Sequence, residues 1–509
     1  MIKFKINQKA IATVMVFSLL LGSCKKNFES INEDPNNPKE VPNAYLLTGA
    51  IRGLMDNTID VWWGANVGNQ LGQYWSSNQY SSESRYLYRS NVTNSYWRYF
   101  YGGVQNDQLV AVGGLYELSQ IVKKCKEDSI ESSRDGYVPN QIAVATIVRV
   151  WTFQNMTDIW GDIPYSEALQ ADANKSPKYD KQEDIYNGLL SEIDEAIAMI
   201  NDAESGPNGD VVYNGDMAAW KKFANSLKMR LALRIVDRNP AKAQSEFEAA
   251  FTAGAFSANS DNALLQYGEF PSGNPIYYNR YISGRNDYAS SNTFLDSTLT
   301  PLNDPRRECF FVPATATGLW TGEVYGLSEA NAAQTPNSRI AQRSPLVLSA
   351  SLPGIFMDYA QVEFMLAEAA ERGWAVTGTA ESHYDAGITA SISFWTELNG
   401  SPASAGDIAA YIAQPTVNYQ TAGGTWQQRI GVQKWIALFD QGIQGWVEWR
   451  RLDFNKLMMP ADGVIDGTGI PLRMKYPVLE QTLNSASYSA AVAAQGADEQ
   501  DTRMWWDVN

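Results

Sequence analysis

Apolar residues recur at three- and four-residue spacing along most of the chain, a pattern that predicts a succession of amphipathic helices. The first starts at Asn43 and carries Tyr45, Leu46, Leu47, Ile51, Leu54 and Met55 on one face. Val104 to Lys124 continues the pattern through Leu109, Val112, Leu115 and Ile121. Asn140 to Thr157 follows, with Ile142, Ala145, Val148 and Val150 inward. It stops in Asp158-Ile159-Trp160-Gly161-Asp162-Ile163-Pro164-Tyr165, where Gly and Pro break a helix. Asp184 to Asn201 places Ile185, Leu189, Ile193, Ala196 and Ile200 in one stripe. Asp216 to Val236 opens on an aspartate suited to cap it. Met357 to Arg372, Glu381 to Leu398 and Trp426 to Asp440 complete the set. Several pairs sit at roughly tetratricopeptide spacing. The expected fold is mostly α, a tetratricopeptide-like helical scaffold with a large loop-rich region laid over it.

The helical pattern fails in three places. Residues 62–101 interleave Trp62, Trp63, Tyr74, Trp75, Tyr80, Tyr86, Tyr88, Tyr96, Trp97, Tyr99, Phe100 and Tyr101 with Ser, Asn, Gln and Arg. So many rings among hydrogen-bonding residues predict a mixture of core anchors and a ligand-facing loop. Between Phe256 and Gly354, Gly, Pro, Asn, Ser and Tyr dominate, as in long functional loops laid over a scaffold. From Pro460 the chain reads as irregular up to Trp505-Trp506-Asp507.

The amino terminus is different again. Lys3, Lys5 and Lys9 precede an apolar run from Ala10 to Leu21, then Gly22, Ser23 and Cys24. The run is well short of the ~20 apolar residues that span a bilayer, and its layout is that of a secretory signal. With a cysteine at the cleavage position it resembles a bacterial lipobox, which implies lipidation of Cys24. The chain then divides into a signal (1–23), a lipid-anchored arm rich in Asn and Pro (24–42) and one domain (43–509), with the loop-rich insert at about 256–354.

Charge and rare residues narrow the chemistry. The formal net charge is −16, and loss of the three signal lysines takes the mature chain to about −19, which argues against nucleic acid and anionic lipid as partners. Cys125 and Cys309 are left to form one disulfide or to stay as two buried thiols. The single histidine, His383, opens a helix and reads as a surface or capping residue. No metal site or cofactor is expected: zinc-ligand spacing, phosphate-loop glycines and EF-hand spacing, including at Asp180 to Asp184, are all missing from the sequence. The 16 tryptophans and 12% aromatic content fit stacking on sugars or peptides once the core is filled.

Four segments, in order, resemble the SusD/RagB family of outer-membrane nutrient-binding lipoproteins, and its SusD-like subgroup most closely. They are Asp158 to Ala168, Asp216 to Arg234, Tyr359 to Ala369, and Gln433-Lys434-Trp435 with Trp446-Val447-Glu448-Trp449-Arg450-Arg451. Asp34-Pro35-Asn36 in the arm, and Tyr476-Pro477, Glu480, Asn484 and Trp505-Trp506-Asp507 in the tail, also fit. The resemblance implies a helical fold with a loop-rich binding side, a cell-surface position on the outer membrane, and a SusC-like TonB-dependent barrel as partner. Asp158, Asp162, Glu363, Glu368, Glu448, Arg450 and Arg451 read as paired scaffold charges rather than ligand contacts.

The candidate ligand-binding residues are Trp75, Asn78, Tyr80 and Arg85 from the first ring-rich stretch, and Tyr278, Arg280 and Trp320 from the middle. Rings supply stacking faces; Asn and Arg supply directional hydrogen bonds to hydroxyls or carbonyls. The expected function is non-enzymatic capture of an oligosaccharide, or a peptide, for the transporter. A glycoside hydrolase is the alternative, although no segment marks its catalytic carboxylate pair. A scaffold that binds only proteins is the third reading.

Overall fold

The computed structural model describes residues 41–105, 111–269 and 273–508, so the signal segment, Cys24 and nearly all of the arm lie outside the described residues. The chain divides into two units, Met1–Pro42 and Asn43–Asn509. The second is mostly helical. Its α-helices of eight or more residues begin with α1 (Asn43–Ile59), α2 (Ser90–Gly102), α3 (Leu115–Glu127), α4 (Val138–Trp160), α5 (Gln182–Met199), α6 (Met217–Arg234) and α7 (Pro240–Ala253). They continue with α8 (Tyr359–Glu371), α9 (Ala380–Leu398), α10 (Ala405–Ile412), α11 (Trp426–Ala437), α12 (Gly442–Leu452) and α13 (Ser485–Gln495).

Helix packs on helix in an almost unbroken run: α1 on α3, α3 on α4, α4 on α5, α5 on α6, α6 on α7 and α8, α8 on α9 and α11, and α11 on α12. Helix α4 is buried on nearly every side because it carries apolar residues all round, as a central helix must. Asp216 caps α6 as expected, accepting from the Ala218 and Ala219 amides. One apolar cluster joins α1–α7, and a second joins α8–α11 with the residues that lead into the loops.

The four motif segments meet inside this stack. Arg234 at the end of α6 reaches Glu448 of α12 at 2.6 Å and Asp158 of α4 at 3.2 Å. Arg451 of α12 binds both oxygens of Glu368 in α8, at 2.5 and 2.6 Å, and Glu448 at 2.7 Å. Lys434 of α11 reaches Glu448 at 3.0 Å. Arg450 donates to the backbone oxygen of Asp158 at 2.8 Å and covers the Trp446 ring at 3.6 Å. All are buried, so these charges clamp five helices together and are closed to ligand.

The structure corrects several sequence expectations. Val104 to Lys124 is not one helix. Val104–Gln105 (β2) pairs antiparallel with Ala111–Val112 (β3), and α3 starts only after Gly113 and Gly114, where Glu117 accepts from the Gly114 amide at 2.6 Å. The ring-rich stretch contains a whole helix, α2, whose Tyr96, Trp97 and Phe100 are buried on Trp63 and Trp160. The tail from Pro460 holds α13 and the short helix Val478–Leu483. Cys125 and Cys309 are buried free thiols, so the disulfide alternative falls. His383 is a bridge rather than a cap: Nδ1 lies 2.6 Å from Glu363 and Nε2 2.5 Å from the Thr377 oxygen.

Candidate functional site

The loop side begins where the scaffold fixes the chain ahead of Trp75. Helix α12 starts with Gly442 against Gly68; a Cβ on Gly442 would stand 2.1 Å from the Gly68 carbonyl carbon, so only glycine permits this backbone crossing. Trp435 of α11 donates to the Gly72 oxygen at 2.8 Å, and Tyr74 donates back to the Trp435 oxygen at 2.6 Å. Trp75–Ser77 (β1) is thereby delivered in a set orientation.

Three more short strands follow in the loop-rich part of the chain: Ala263–Leu265 (β4), Tyr288–Ser290 (β5) and Phe311–Val312 (β6). Strand β1 pairs antiparallel with β5, Trp75 opposite Ser290 and Ser77 opposite Tyr288. Asn78 extends the seam by donating its amide to the Asp287 oxygen at 2.9 Å. Gln342–Arg343 (β7) pairs with β6 and lies beside β5. The two ring-rich parts of the sequence, far apart in the chain, therefore meet along one seam.

Side chains on this seam form a connected patch. The Asn78 amide donates to Asn337 at 2.7 Å. Tyr80 is 49% exposed and sits at φ 53°, a left-handed backbone that turns its ring outward and costs about 1 kcal/mol. The Arg285 guanidinium covers that ring at 5.1 Å and pairs with Asp287 at 2.6 Å. Asn286 donates to Gln342 at 3.1 Å. Beneath them Arg343 is buried between the Trp75 and Tyr288 rings, at 5.0 and 5.6 Å, with two of its nitrogens unpartnered. Burial pushes its guanidinium down to about 10. The wider-wound turn Tyr278–Ile282 presents Tyr281, 52% exposed, next to Tyr277 and under Arg280.

The seven sequence candidates separate accordingly. Trp75 is fully buried and offers no face to a ligand; it is the floor of the patch. Asn78 is also buried, and its donor is committed to Asn337. Tyr80 is on the surface of the patch, and half-buried Tyr278 and Arg280 lie in the turn that borders it. Arg85 is elsewhere, donating to the backbone oxygens of Asp462 and Gly463 at 2.6 and 2.9 Å, which ties down the 460s loop. Trp320 is half-buried under Arg307 at 4.4 Å, in the adjoining loop. Arg285, Asn286, Asn337 and Tyr281 were missed. The run Tyr277-Tyr278-Asn279-Arg280-Tyr281 was the available signal, but nothing local says which ring turns outward.

The Asp287 carboxylate of the patch is held by Arg285, and its other polar groups are amides and guanidinia suited to neutral hydroxyl and carbonyl groups. Residues 35–477 match the family model described as SusD-like, starch-binding and associating with the outer membrane. The chain belongs to the SusD family. Among solved structures, a chitin-binding protein is 30% identical with a TM-score of 0.77, over 92% of this chain and all of that one. A SusD homologue from Bacteroides uniformis is 27% identical with a TM-score of 0.75, over 91% of this chain and all of that one. A chitin-binding SusD homologue from Flavobacterium johnsoniae is 24% identical with a TM-score of 0.73, over 91% and 99%, a likeness that bears on the fold alone. No curated protein matches the chain.

Proposed function

We propose that this SusD-family protein captures an oligosaccharide at the outer surface of the outer membrane, held there by lipid on Cys24, and delivers it to a SusC-like TonB-dependent barrel. The observation that carries the binding role is the seam between β1 and β5. It exposes Tyr80 and, in the bordering turn, Tyr281, with Arg285, Asn286 and Asn337 around them. Flat rings stack on the apolar faces of sugar rings, while amides and guanidinia orient the hydroxyls. The family description and the chitin-binding relative favour a glycan over a peptide. The lipobox-like run that ends in Cys24 is the feature that supports a lipid anchor, and among the described residues no helix is long and apolar enough to cross a membrane.

Two experiments divide the proposal. Calorimetric titration against chitooligosaccharides, maltooligosaccharides and peptides should give binding to one glycan class without turnover of the ligand. Accumulation of a shorter sugar product would favour the hydrolase alternative instead. Affinity capture of the tagged, lipidated protein from solubilised outer membranes should bring down a barrel protein in near-equal amount. Recovery of the protein alone would remove the delivery step and leave the binding step standing.

A further inference from the structure

A second cleft opens away from the β1–β5 seam, and its charge is opposite to that of the molecule. It has a volume of about 360 Å³ and lies between residues 297–302 and the first turns of α11. Arg429 and Lys456 are its only charged lining residues, and Gln428, Asn455, Ser297 and Thr298 add polar groups. No Asp or Glu lines it, in a chain of formal net charge −16.

Neither cation forms an ion pair among the described residues, and each is held only by neutral groups. Arg429 donates Nη1 to the Gly424 oxygen at 3.0 Å and lies against the Tyr419 ring at 5.0 Å, while its Nε is buried without a partner. The Lys456 Nζ reaches only the Ser297 oxygen, at 3.5 Å. Burial alone pushes Lys456 below the usual lysine range, as befits an ammonium with no anion beside it. Nearby Asp304 gives no compensation, because both of its oxygens are taken by Arg306, at 2.8 and 2.6 Å. Tyr419 hands its hydroxyl to Glu371, which forms no ion pair with Arg429 among the described residues.

The backbone adds to the same field. Helix α11 is 12 residues long and starts at this cleft, so the partial positive charge of its amino end points there. A Cβ on Gly423 would meet nothing within 4 Å, which leaves open space in front of the chain leading into the helix. Both cations are half-buried, and a cleft that holds two of them with no carboxylate in its lining has room for an anion from outside.

We infer that the Arg429–Lys456 cleft binds an anionic substituent, a carboxylate or a sulfate, carried on a saccharide. The site shares none of its residues with the Tyr80–Tyr281 patch; that the anion is carried on a saccharide rests on the glycan-capture reading, while anion binding in the cleft is tested separately from it. It would let the protein take acidic sugars in addition to the neutral ones suited to the patch.

The test is calorimetric titration of the full-length protein with glucuronate, with sulfate and with glucose, at low and high salt. Glucuronate or sulfate should bind, glucose should not, and added salt should weaken the binding. Binding of both anions would assign recognition to charge; binding of glucuronate alone would assign it to the planar carboxylate, and of sulfate alone to the sulfate group. Lys456→Met and Arg429→Gln should each weaken anion binding at least about tenfold, the loss of one charge-assisted hydrogen bond. Lys456→Met breaks only one long contact, so its melting temperature should stay at the wild-type value and its binding of the neutral oligosaccharide should be unchanged. No binding of either anion, or anion binding that survives both substitutions, overturns the inference.

Discussion

Glu448 is the carboxylate on which three buried cations converge, and its removal is the most demanding test of how the scaffold is held. It is 1% exposed, with Arg234 at 2.6 Å on one oxygen and Arg451 and Lys434 at 2.7 and 3.0 Å on the other. Burial raises its carboxyl, but Arg451, Lys434 and Arg234 outweigh that and hold it well below the usual carboxylate range. Glu448→Ala leaves Lys434 without a carboxylate and Arg234 with Asp158 alone, at 3.2 Å. Breaking a buried pair from one side costs about 3–5 kcal/mol. The unit Asn43–Asn509, at about 2.1 cal/mol/K per residue, unfolds with an entropy near 1 kcal/mol/K. The melting temperature should therefore fall by about 3–5 °C in scanning calorimetry. The fall should be nearly the same at low and high salt, because buried charges are screened little. Glu448→Met combined with Lys434→Met should cost less than the sum of the single substitutions, since the double variant no longer strands the ammonium. A Glu448→Ala protein that melts within about 1 °C of wild type would refute the view that this network clamps the five helices.

The other predictions concern single groups. His383 is the only histidine, so its imidazole gives one NMR titration. Burial lowers its pKa, but Glu363 and Thr377 outweigh that, and the midpoint should lie above the usual 6.5. The stabilisation it lends is then full below about pH 6.5 and lost as pH rises through the folded midpoint; Glu363→Gln should lower that midpoint, and an unchanged one would contradict the pairing. Gly442→Ala should destabilise by about 1–3 kcal/mol or more, measured by denaturant unfolding, because its methyl would enter the Gly68 backbone. Cys125 and Cys309 should resist a thiol reagent in the native protein and react together on unfolding, since both are buried and burial pushes Cys309 up to about 12.

The scaffold was readable because its signal is repeated. The stripe Ile185, Leu189, Ile193, Ala196 returns each turn, and all four are buried in α5. Helix α13 was not readable, since Ser485–Gln495 is mostly Ala and Ser and has little contrast between faces. The rings of the candidate patch were legible as a ring-rich region, but which of them turn outward was not. Trp75 and Tyr80 stand five positions apart in one ring-rich run, yet one is fully buried and the other 49% exposed. Their fates are set by the pairing of β1 with β5 and by the positive φ at Tyr80, neither of which is encoded near the rings themselves. Arg85 likewise turned to the Asp462 and Gly463 carbonyls, partners nearly the whole chain away. The motif charges could be read as scaffold because a charge on an apolar helix face needs a partner, and the structure supplies one for each of Asp158, Glu368, Glu448 and Arg451.

The central claim is that the exposed rings of the β1–β5 patch and its bordering turn hold a sugar. Its most direct test is titration of wild type, Tyr80→Ala, Tyr281→Ala and Trp320→Ala with the oligosaccharide that wild type binds best, each variant first shown to melt like wild type. The account predicts that Tyr80→Ala and Tyr281→Ala each weaken binding about tenfold or more, as expected when a stacking ring is truncated. Full affinity in both of those variants would contradict it, and a loss confined to Trp320→Ala would move the site to the loop beside Arg307.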